Sequence, residues 1–153
     1  MGDCCKSATA TAYVYDYFFR KAFGDRVSEI QLAIWIEGGK DVKRIAESLG
    51  LPLESAEDAS RALGLVAAIL FGPEFEWETI EESENRAVDR IISCPFLDVA
   101  RELWVEAGFG SCQAYCKSAA ESMNPACTHR FAGAMCRCNP YCETVVEPKG
   151  LER

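Results

Sequence analysis

Apolar residues in the first half of the chain recur at the three- and four-residue spacing of amphipathic helices. A first helix is predicted over residues 9–23, with Gly24 placed to end it. Ser28 and Gln31 form a capping-box pattern, which predicts the start of a second, short helix. Because glycine is a poor helix former, we expect this second helix to stop at the adjacent pair Gly38-Gly39.

The helical spacing continues beyond this glycine pair. Asp41 is placed to cap a third helix, which would end with Gly50 just beyond its last turn. Ser55 stands at the N-cap position of a fourth helix, which Gly72-Pro73 closes. Residues 1–73 are therefore predicted to form a helical lobe.

The periodicity changes from helical to alternating after this lobe. Phe75, Trp77 and Thr79 alternate with glutamates, which predicts an antiparallel strand with one solvated face. Turn residues and a second apolar run follow, so residues 74–93 are predicted to form a β-hairpin.

The rest of the chain combines helices, strands and cysteines. Cys94-Pro95 begins a predicted helix that ends near Gly108, and a further helix is predicted over about 111–122. Two more strands are predicted, at 128–135 and 143–146. Residues 74–153 are thus the predicted cysteine-rich α+β part. The expected fold class is α+β, with an N-terminal helical lobe followed by a small antiparallel sheet packed with helices, in one compact domain overall.

Charge and composition argue against several classes of function. The 153-residue sequence carries a formal net charge of −8, which repels a phosphate backbone and argues against nucleic acid as a partner. The longest apolar stretch, residues 63–71, is too short to span a membrane, which takes about twenty residues. The N-terminus lacks the apolar segment of a secretory signal, so a cytoplasmic location is expected.

Cysteine is distributed very unevenly along the chain. Nine cysteines are present, and those in the range 94–142 are Cys94, Cys112, Cys116, Cys127, Cys136, Cys138 and Cys142. In a reducing compartment disulfides rarely persist, and clustered cysteines are more often metal ligands or catalysts. The clustering therefore predicts a cysteine-ligated metal or iron-sulfur site. Burial of small thiols in the core and disulfide formation are the alternatives.

Two pairs of these cysteines have a spacing that suits one metal centre. Cys112 and Cys116 are four residues apart on a predicted helix, which brings their Cβ atoms to about 5–6 Å. Cys138 and Cys142 repeat the spacing in a loop. The predicted ligands are Cys112, Cys116, Cys138 and Cys142, with Cys136 and Cys94 next in line. A thiolate-rich set favours a [4Fe-4S] cluster, with zinc as the alternative.

A hairpin, the sequence Cys94-Pro95-Phe96, a helix bearing Cys112 and Cys116, and strands around a cysteine loop follow one another in residues 74–148. This arrangement resembles the L-2-amino-thiazoline-4-carboxylic acid hydrolase-like family, and it is similar to 4-vinyl reductase domains. The resemblance implies an α+β module that binds a small ligand or a metal. The loop at 136–142 departs from the Cys-x-x-Gly-Asp-x-x-Cys pattern of these families and has additional cysteines, which favours a metal or cluster over hydrolysis.

The leading functional prediction is a cysteine-ligated iron-sulfur or zinc protein with a redox, sensing or structural role beside a small-ligand cavity. Its expected partner is a small-molecule ligand or a redox partner protein, with no membrane partner and with a homodimer left open. The first alternative is a cysteine-dependent hydrolase of a small cyclic or amide-like substrate. In that case Cys94 or Cys127 is the candidate nucleophile and His129, the only histidine, the candidate base.

The second alternative is a metal-responsive DNA-binding regulator. The pattern of residues 41–66 is typical of a helix-turn-helix. Basic residues lie in or beside this segment: Lys40, Lys43, Arg44 and Arg61. Acidic residues in the same segment cancel much of that positive charge.

Overall fold

A computed structural model describes residues 14–15, 17–24, 26–97 and 108–151 of the chain. The long described helices are α1 (Arg26–Ser48), α2 (Ala56–Phe71) and α3 (Gly108–Met123). The strands are β1 (Glu76–Ser83), β2 (Arg86–Ser93), β3 (Cys127–Gly133) and β4 (Cys142–Pro148). A short 3-10 turn, Met135–Arg137, joins β3 to β4. The predicted α+β class is confirmed.

The strands form an antiparallel sheet in the order β1-β2-β4-β3. Strands β1 and β2 form the predicted hairpin, and two irregularities of register interrupt their pairing. Helix α1 packs against α3, α3 against β3, and α2 against β2 and β4. One face of the sheet is therefore covered by helices, as expected for an antiparallel sheet with one buried face.

Small side chains fill much of the space between helices and sheet. Val42 and Ala46 of α1 and Val66 of α2 are fully buried, and they join a core that Val146 of β4 completes. Alanines at 56, 59 and 62 bring α2 close to the sheet. Close packing of this kind leaves little room for larger residues.

The predicted ends of several helices are confirmed. The Ser55 hydroxyl accepts a hydrogen bond from the Asp58 backbone N–H at 3.0 Å, and the Asp58 carboxylate accepts one from the Ser55 N–H at 3.1 Å. This capping box satisfies donors that the first turn of α2 leaves free. Gly24 and Gly50 have φ angles of 64° and 68°, the left-handed conformation in which helices end readily.

The predicted break at Gly38-Gly39 is wrong. Helix α1 runs without interruption from Arg26 to Ser48, so no separate third helix starts at Asp41. Gly39 is buried where α1 meets α3, and a Cβ atom there would lie 2.5 Å from the Tyr115 carbonyl oxygen. Ser118 of α3 also donates a hydrogen bond to the Ile36 carbonyl at 2.7 Å. Glycine serves here for close helix packing and not as a helix stop.

Other predicted boundaries shift or lie outside the described residues. Strand β3 ends at Gly133, before the predicted 135, and β4 extends to Pro148. The predicted helix from Cys94-Pro95 is helical at 95–97, and its continuation lies outside the described residues. Among the described helices, none is long and apolar enough to cross a membrane.

Replacement of Gly39 by alanine is expected to destabilise the protein. The new methyl group would collide with the backbone of α3, and overpacking of this kind typically costs about 1–3 kcal/mol. Gly38→Ala is the matched control, because a Cβ atom there meets only ordinary contacts at 3.9 Å and helix propensity improves by about 1 kcal/mol. Urea unfolding of the two variants measures the difference, and a Gly39→Ala protein as stable as Gly38→Ala would contradict this packing.

Candidate functional site

An apolar cavity of about 130 Å³ lies between the helices and the sheet. Its aromatic lining consists of Trp35, Phe71, Phe75, Trp77, Phe96, Phe109, Tyr115 and Phe131. For comparison, an engineered cavity of about 150 Å³ stays dry and binds benzene. The cavity is therefore large enough for a molecule the size of a single ring.

Small residues of α2 form part of the cavity wall. Gly64 lies against the Trp77 indole so closely that a Cβ atom would come within 2.5 Å of it. Ala67, one turn further along α2, also lines the cavity. Aromatic side chains of the lining contact one another, as in the edge-to-face Phe71–Phe96 pair with ring centroids 4.6 Å apart.

The sheet forms one wall of the cavity, which is lined by side chains of paired residues on neighbouring strands. Asp89 of β2 pairs with Thr144 of β4, which in turn pairs with Phe131 of β3, and all three line the cavity. Ile91 and Cys142 form the adjacent row. Along each strand, residues that face the cavity alternate with residues that face the opposite side of the sheet, because successive side chains point to alternate sides.

Cysteines gather along one part of the cavity wall. Five of the six predicted ligands line the cavity: Cys94, Cys112, Cys116, Cys136 and Cys142. They come from the residue after β2, from one face of α3, from the 3-10 turn and from the start of β4. Cys136 is exposed as well as cavity-lining, which places it at the opening of the cavity.

The remaining two cysteines of the cluster lie elsewhere. Cys138 is exposed and is not among the residues that line the cavity. It has a φ angle of 66°, an uncommon left-handed conformation for a residue other than glycine. Cys127 is buried in the hydrophobic core.

Burial keeps the thiols of Cys94, Cys112, Cys116 and Cys142 protonated at neutral pH. Desolvation is the main cause that raises the pKa of Cys94 to about 11 and of Cys116 to about 12, and neighbouring thiols raise both further. The same two causes raise the pKa of Cys112 well above its ordinary value. Burial also raises the pKa of Cys142. The backbone N–H of Met135 donates a hydrogen bond to the Cys142 sulfur at 3.2 Å and lowers this pKa in part. Thiols of this kind are weak nucleophiles at neutral pH.

The thiols share a wall but do not surround a common point. Within the described part of the chain, no group of three or more His, Cys, Asp or Glu side chains is arranged to hold a metal ion. The mutual effects on pKa nevertheless show that the thiols are electrostatic neighbours. Metal binding would require the cysteine side chains to turn towards one another, and the [4Fe-4S] or zinc centre stays a prediction.

Polar groups other than the thiols also line the cavity, among them Asp89, Tyr115 and His129. The Asp89 carboxylate accepts a hydrogen bond from the Ser60 hydroxyl at 2.5 Å. The Tyr115 hydroxyl and the His129 Nδ1 atom are buried and find no hydrogen-bond partner within the described part of the chain. Burial, followed by the positive charge of Arg130, lowers the pKa of His129 to about 3, so its imidazole is neutral at physiological pH.

These features give no support to the predicted hydrolase. His129 Nδ1 has no hydrogen-bond partner, so this nitrogen does not activate Cys127 or Cys94. The buried imidazole, with its pKa of about 3, is also a weak base, and burial raises the pKa values of both candidate thiols. A nucleophile and a base within hydrogen-bond reach are the usual signature of such an enzyme.

The basic residues of the predicted helix-turn-helix are paired with acidic neighbours. Each forms an ion pair: Lys40 with Glu37, Lys43 with Glu47, Arg44 with Asp41, and Arg61 with Glu57 and Glu82. Such pairing leaves little positive charge for phosphate contacts, which supply most of the affinity for DNA.

Comparison with solved structures finds the same fold in two other proteins. The chain superposes on the phenol-responsive sensory domain of the transcription activator PoxR, solved with phenol, with a TM-score of 0.68 and 12% identity over 95% of this chain and 76% of that chain. It superposes on trafficking protein particle complex subunit 3 from Naegleria fowleri, covalently bound to palmitic acid, with a TM-score of 0.63 and 11% identity over 97% of each chain. These identities show a shared fold alone. No family model and no curated protein matches the sequence, so the two resembled families stay unconfirmed.

Several residues of the site carried no signal in the sequence. Ser60, Asp89 and Thr144 are ordinary polar residues that no local motif distinguishes, and only the tertiary fold brings them to one cavity. The aromatic residues likewise come from α1, α2, β1, α3 and β3. The cysteines and His129 were singled out in advance, the cysteines because their clustering is visible along the chain.

The buried His129 predicts a loss of stability in acid. Its pKa is lower in the folded protein than its ordinary value of 6.5, so below that pH the unfolded chain takes up a proton that the folded chain does not. This contribution to the free energy of unfolding is lost progressively as pH falls from 6.5 towards about 3. By pH 4.5 the loss amounts to about 2–3 kcal/mol. Urea unfolding at pH 7 and 4.5 should show this extra loss in the native sequence but not in His129→Phe; equal losses in the two proteins would contradict it.

Proposed function

We propose that this protein is a small-molecule-binding sensory domain whose cavity takes one ring-sized, mainly apolar ligand. The observation that carries the proposal is the aromatic cavity of about 130 Å³ enclosed between helices and sheet. Pockets for small molecules are typically apolar, concave and furnished with a few polar groups, as this one is. The fold shared with a phenol-responsive sensory domain supports a sensing role.

The volume of the cavity favours a ring over a long acyl chain. A cavity of this size resembles one that holds benzene, whereas palmitic acid, which the trafficking subunit carries, is much larger. Rigid aromatic walls also form the cavity before a ligand enters. Transfer of a ring from water into such a site contributes about 25 cal/mol for each Å² of apolar surface buried.

Filling the cavity with a side chain should abolish binding of a ring-sized ligand. Ala67→Leu adds a branched side chain to the cavity wall, and phenol, used as the probe, should bind at least about tenfold more weakly by calorimetry. Ala68→Leu is the matched control, because Ala68 is the next residue of α2 and does not line the cavity.

The folded state of both variants is checked by circular dichroism before titration. Phenol affinity that is equal in the Ala67→Leu and Ala68→Leu proteins would contradict the proposal. So would binding of palmitic acid by the native protein in the absence of any phenol binding, because that result would indicate a long apolar ligand.

We propose further that the cavity thiols hold a metal centre, either an iron-sulfur cluster or zinc. What favours this second function is that Cys94, Cys112, Cys116, Cys136 and Cys142 line one cavity although they come from separate elements. Both centres are bound by thiolates, so the cysteines must lose their protons first. Because burial raises the pKa values of Cys94 and Cys116, metal uptake should release protons and become stronger as pH rises. A bound centre would serve to anchor the cavity wall or to make it responsive to redox conditions.

Metal analysis tests this second function with cysteine variants. Protein purified without oxygen should contain near-stoichiometric iron with inorganic sulfide, or zinc, and Cys112→Ser or Cys116→Ser should lose most of that metal. Cys138→Ser is the matched control and should keep it, because Cys138 lies outside the cavity wall. Native protein with neither metal, or equal losses in Cys112→Ser and Cys138→Ser, would contradict the proposed centre. A visible absorption spectrum distinguishes the iron-sulfur cluster from zinc.

A further inference from the structure

Two buried polar atoms of the cavity wall have no hydrogen-bond partner among the residues that the structure describes: the Tyr115 hydroxyl and the His129 Nδ1. Tyr115 is 7% exposed and His129 is 5% exposed, and both residues line the cavity. In folded proteins the large majority of buried polar atoms are paired, with protein or with ordered water. Two unpaired atoms in one cavity therefore point to a molecule that occupies it.

The two residues belong to different walls. Tyr115 lies on α3, and its ring meets Trp35 of α1 edge-on with centroids 6.0 Å apart. His129 lies on β3, and its ring meets Phe131 edge-on at 5.0 Å. Each polar atom is thus embedded among aromatic rings, so a ligand that reaches it must itself be largely apolar.

The charges around the cavity restrict the ligand further. Among the described residues that line the cavity there is no lysine or arginine, and Asp89 is the only acidic one. An anionic ligand would be buried without a positive partner and beside a carboxylate, which is strongly unfavourable. The imidazole of His129 is neutral and offers no compensating charge.

We propose that Tyr115 and His129 are specificity-determining residues that hydrogen-bond the polar group of a neutral, hydroxylated ring in the cavity. This inference rests on the proposed ligand-binding function and adds the class of ligand to it. A tyrosine hydroxyl both donates and accepts, and a neutral imidazole nitrogen does one or the other, so a hydroxyl group suits both. A ring without such a group would leave both atoms unpaired, and this is the usual source of strong discrimination by a buried polar site.

Four probes of similar size separate the contributions of ring, hydroxyl group and charge. Calorimetric titration at pH 7 with phenol, toluene, benzoate and benzylamine is expected to rank phenol first, with benzoate showing no binding. Toluene that binds as tightly as phenol would overturn the inference while leaving the proposed function intact. If benzylamine binds more tightly than phenol, the ligand is a cation held by Asp89, and the inference is overturned. Failure of all four probes would instead contradict the proposed function.

Substitutions assign the discrimination to the two residues. Tyr115→Phe and His129→Phe should each lower the affinity for phenol about two- to tenfold, the usual effect of one lost hydrogen bond, with the affinity for toluene little changed. Tyr15→Phe is the matched control, since Tyr15 is 61% exposed. His129→Gln keeps a hydrogen-bonding side chain and should restore part of the preference for phenol. An unchanged ratio of phenol to toluene affinity in either phenylalanine variant would overturn the assignment of that residue.

Discussion

The close contact between α1 and α3 is the constraint on which the site depends. Gly39 allows the backbone of α1 to lie directly against the Tyr115 carbonyl, and the Ser118 hydroxyl ties α3 to Ile36. Helix α3 in turn carries Cys112, Tyr115 and Cys116 into the cavity wall. A wider separation of the two helices would open the cavity and expose its thiols to water, because packed interiors transmit such shifts with little loss. Gly39 thus helps to position one wall of the ligand site although it does not itself line the cavity.

The cavity has two chemically different regions enclosed by one aromatic wall. Sulfur atoms with raised pKa values occupy one region, and the hydroxyl, imidazole and carboxylate groups occupy the other. Besides burial, the Cys116 thiol contributes to the raised pKa of the Tyr115 hydroxyl, so the two sets of groups are electrostatic neighbours. A change in the charge of the thiols would therefore reach a bound ligand through charge interaction as well as through packing of the shared wall.

Most of the fold could be predicted from the sequence because its signals are local. The Ser55 cap, the alternation in the hairpin and the glycines that end helices act over a few residues, and each led to a correct element. Gly39 led to an error, because glycine interrupts isolated helices and also permits close helix packing, and only the tertiary contact decides between these two roles. The thiol cluster was visible in the spacing of its cysteines. The left-handed turn that places Cys138 outside the cavity wall was not, nor were the positions of Asp89 and His129, since residues distant in sequence meet only when the sheet forms.

The edge of the sheet formed by β1 has a consequence for how the protein behaves at high concentration. Two register irregularities interrupt its pairing with β2, and its sequence places Glu76, Glu78, Glu81 and Glu82 along it. Unpaired backbone groups on an edge strand would otherwise offer a template for a strand of another molecule. Glu81 and Glu82 form ion pairs with Arg86 and Arg61. The negative charges of Glu76 and Glu78 would meet the same charges on a second β1 strand, and this repulsion opposes addition of that strand in solution. The charged edge therefore disfavours association of molecules through β1.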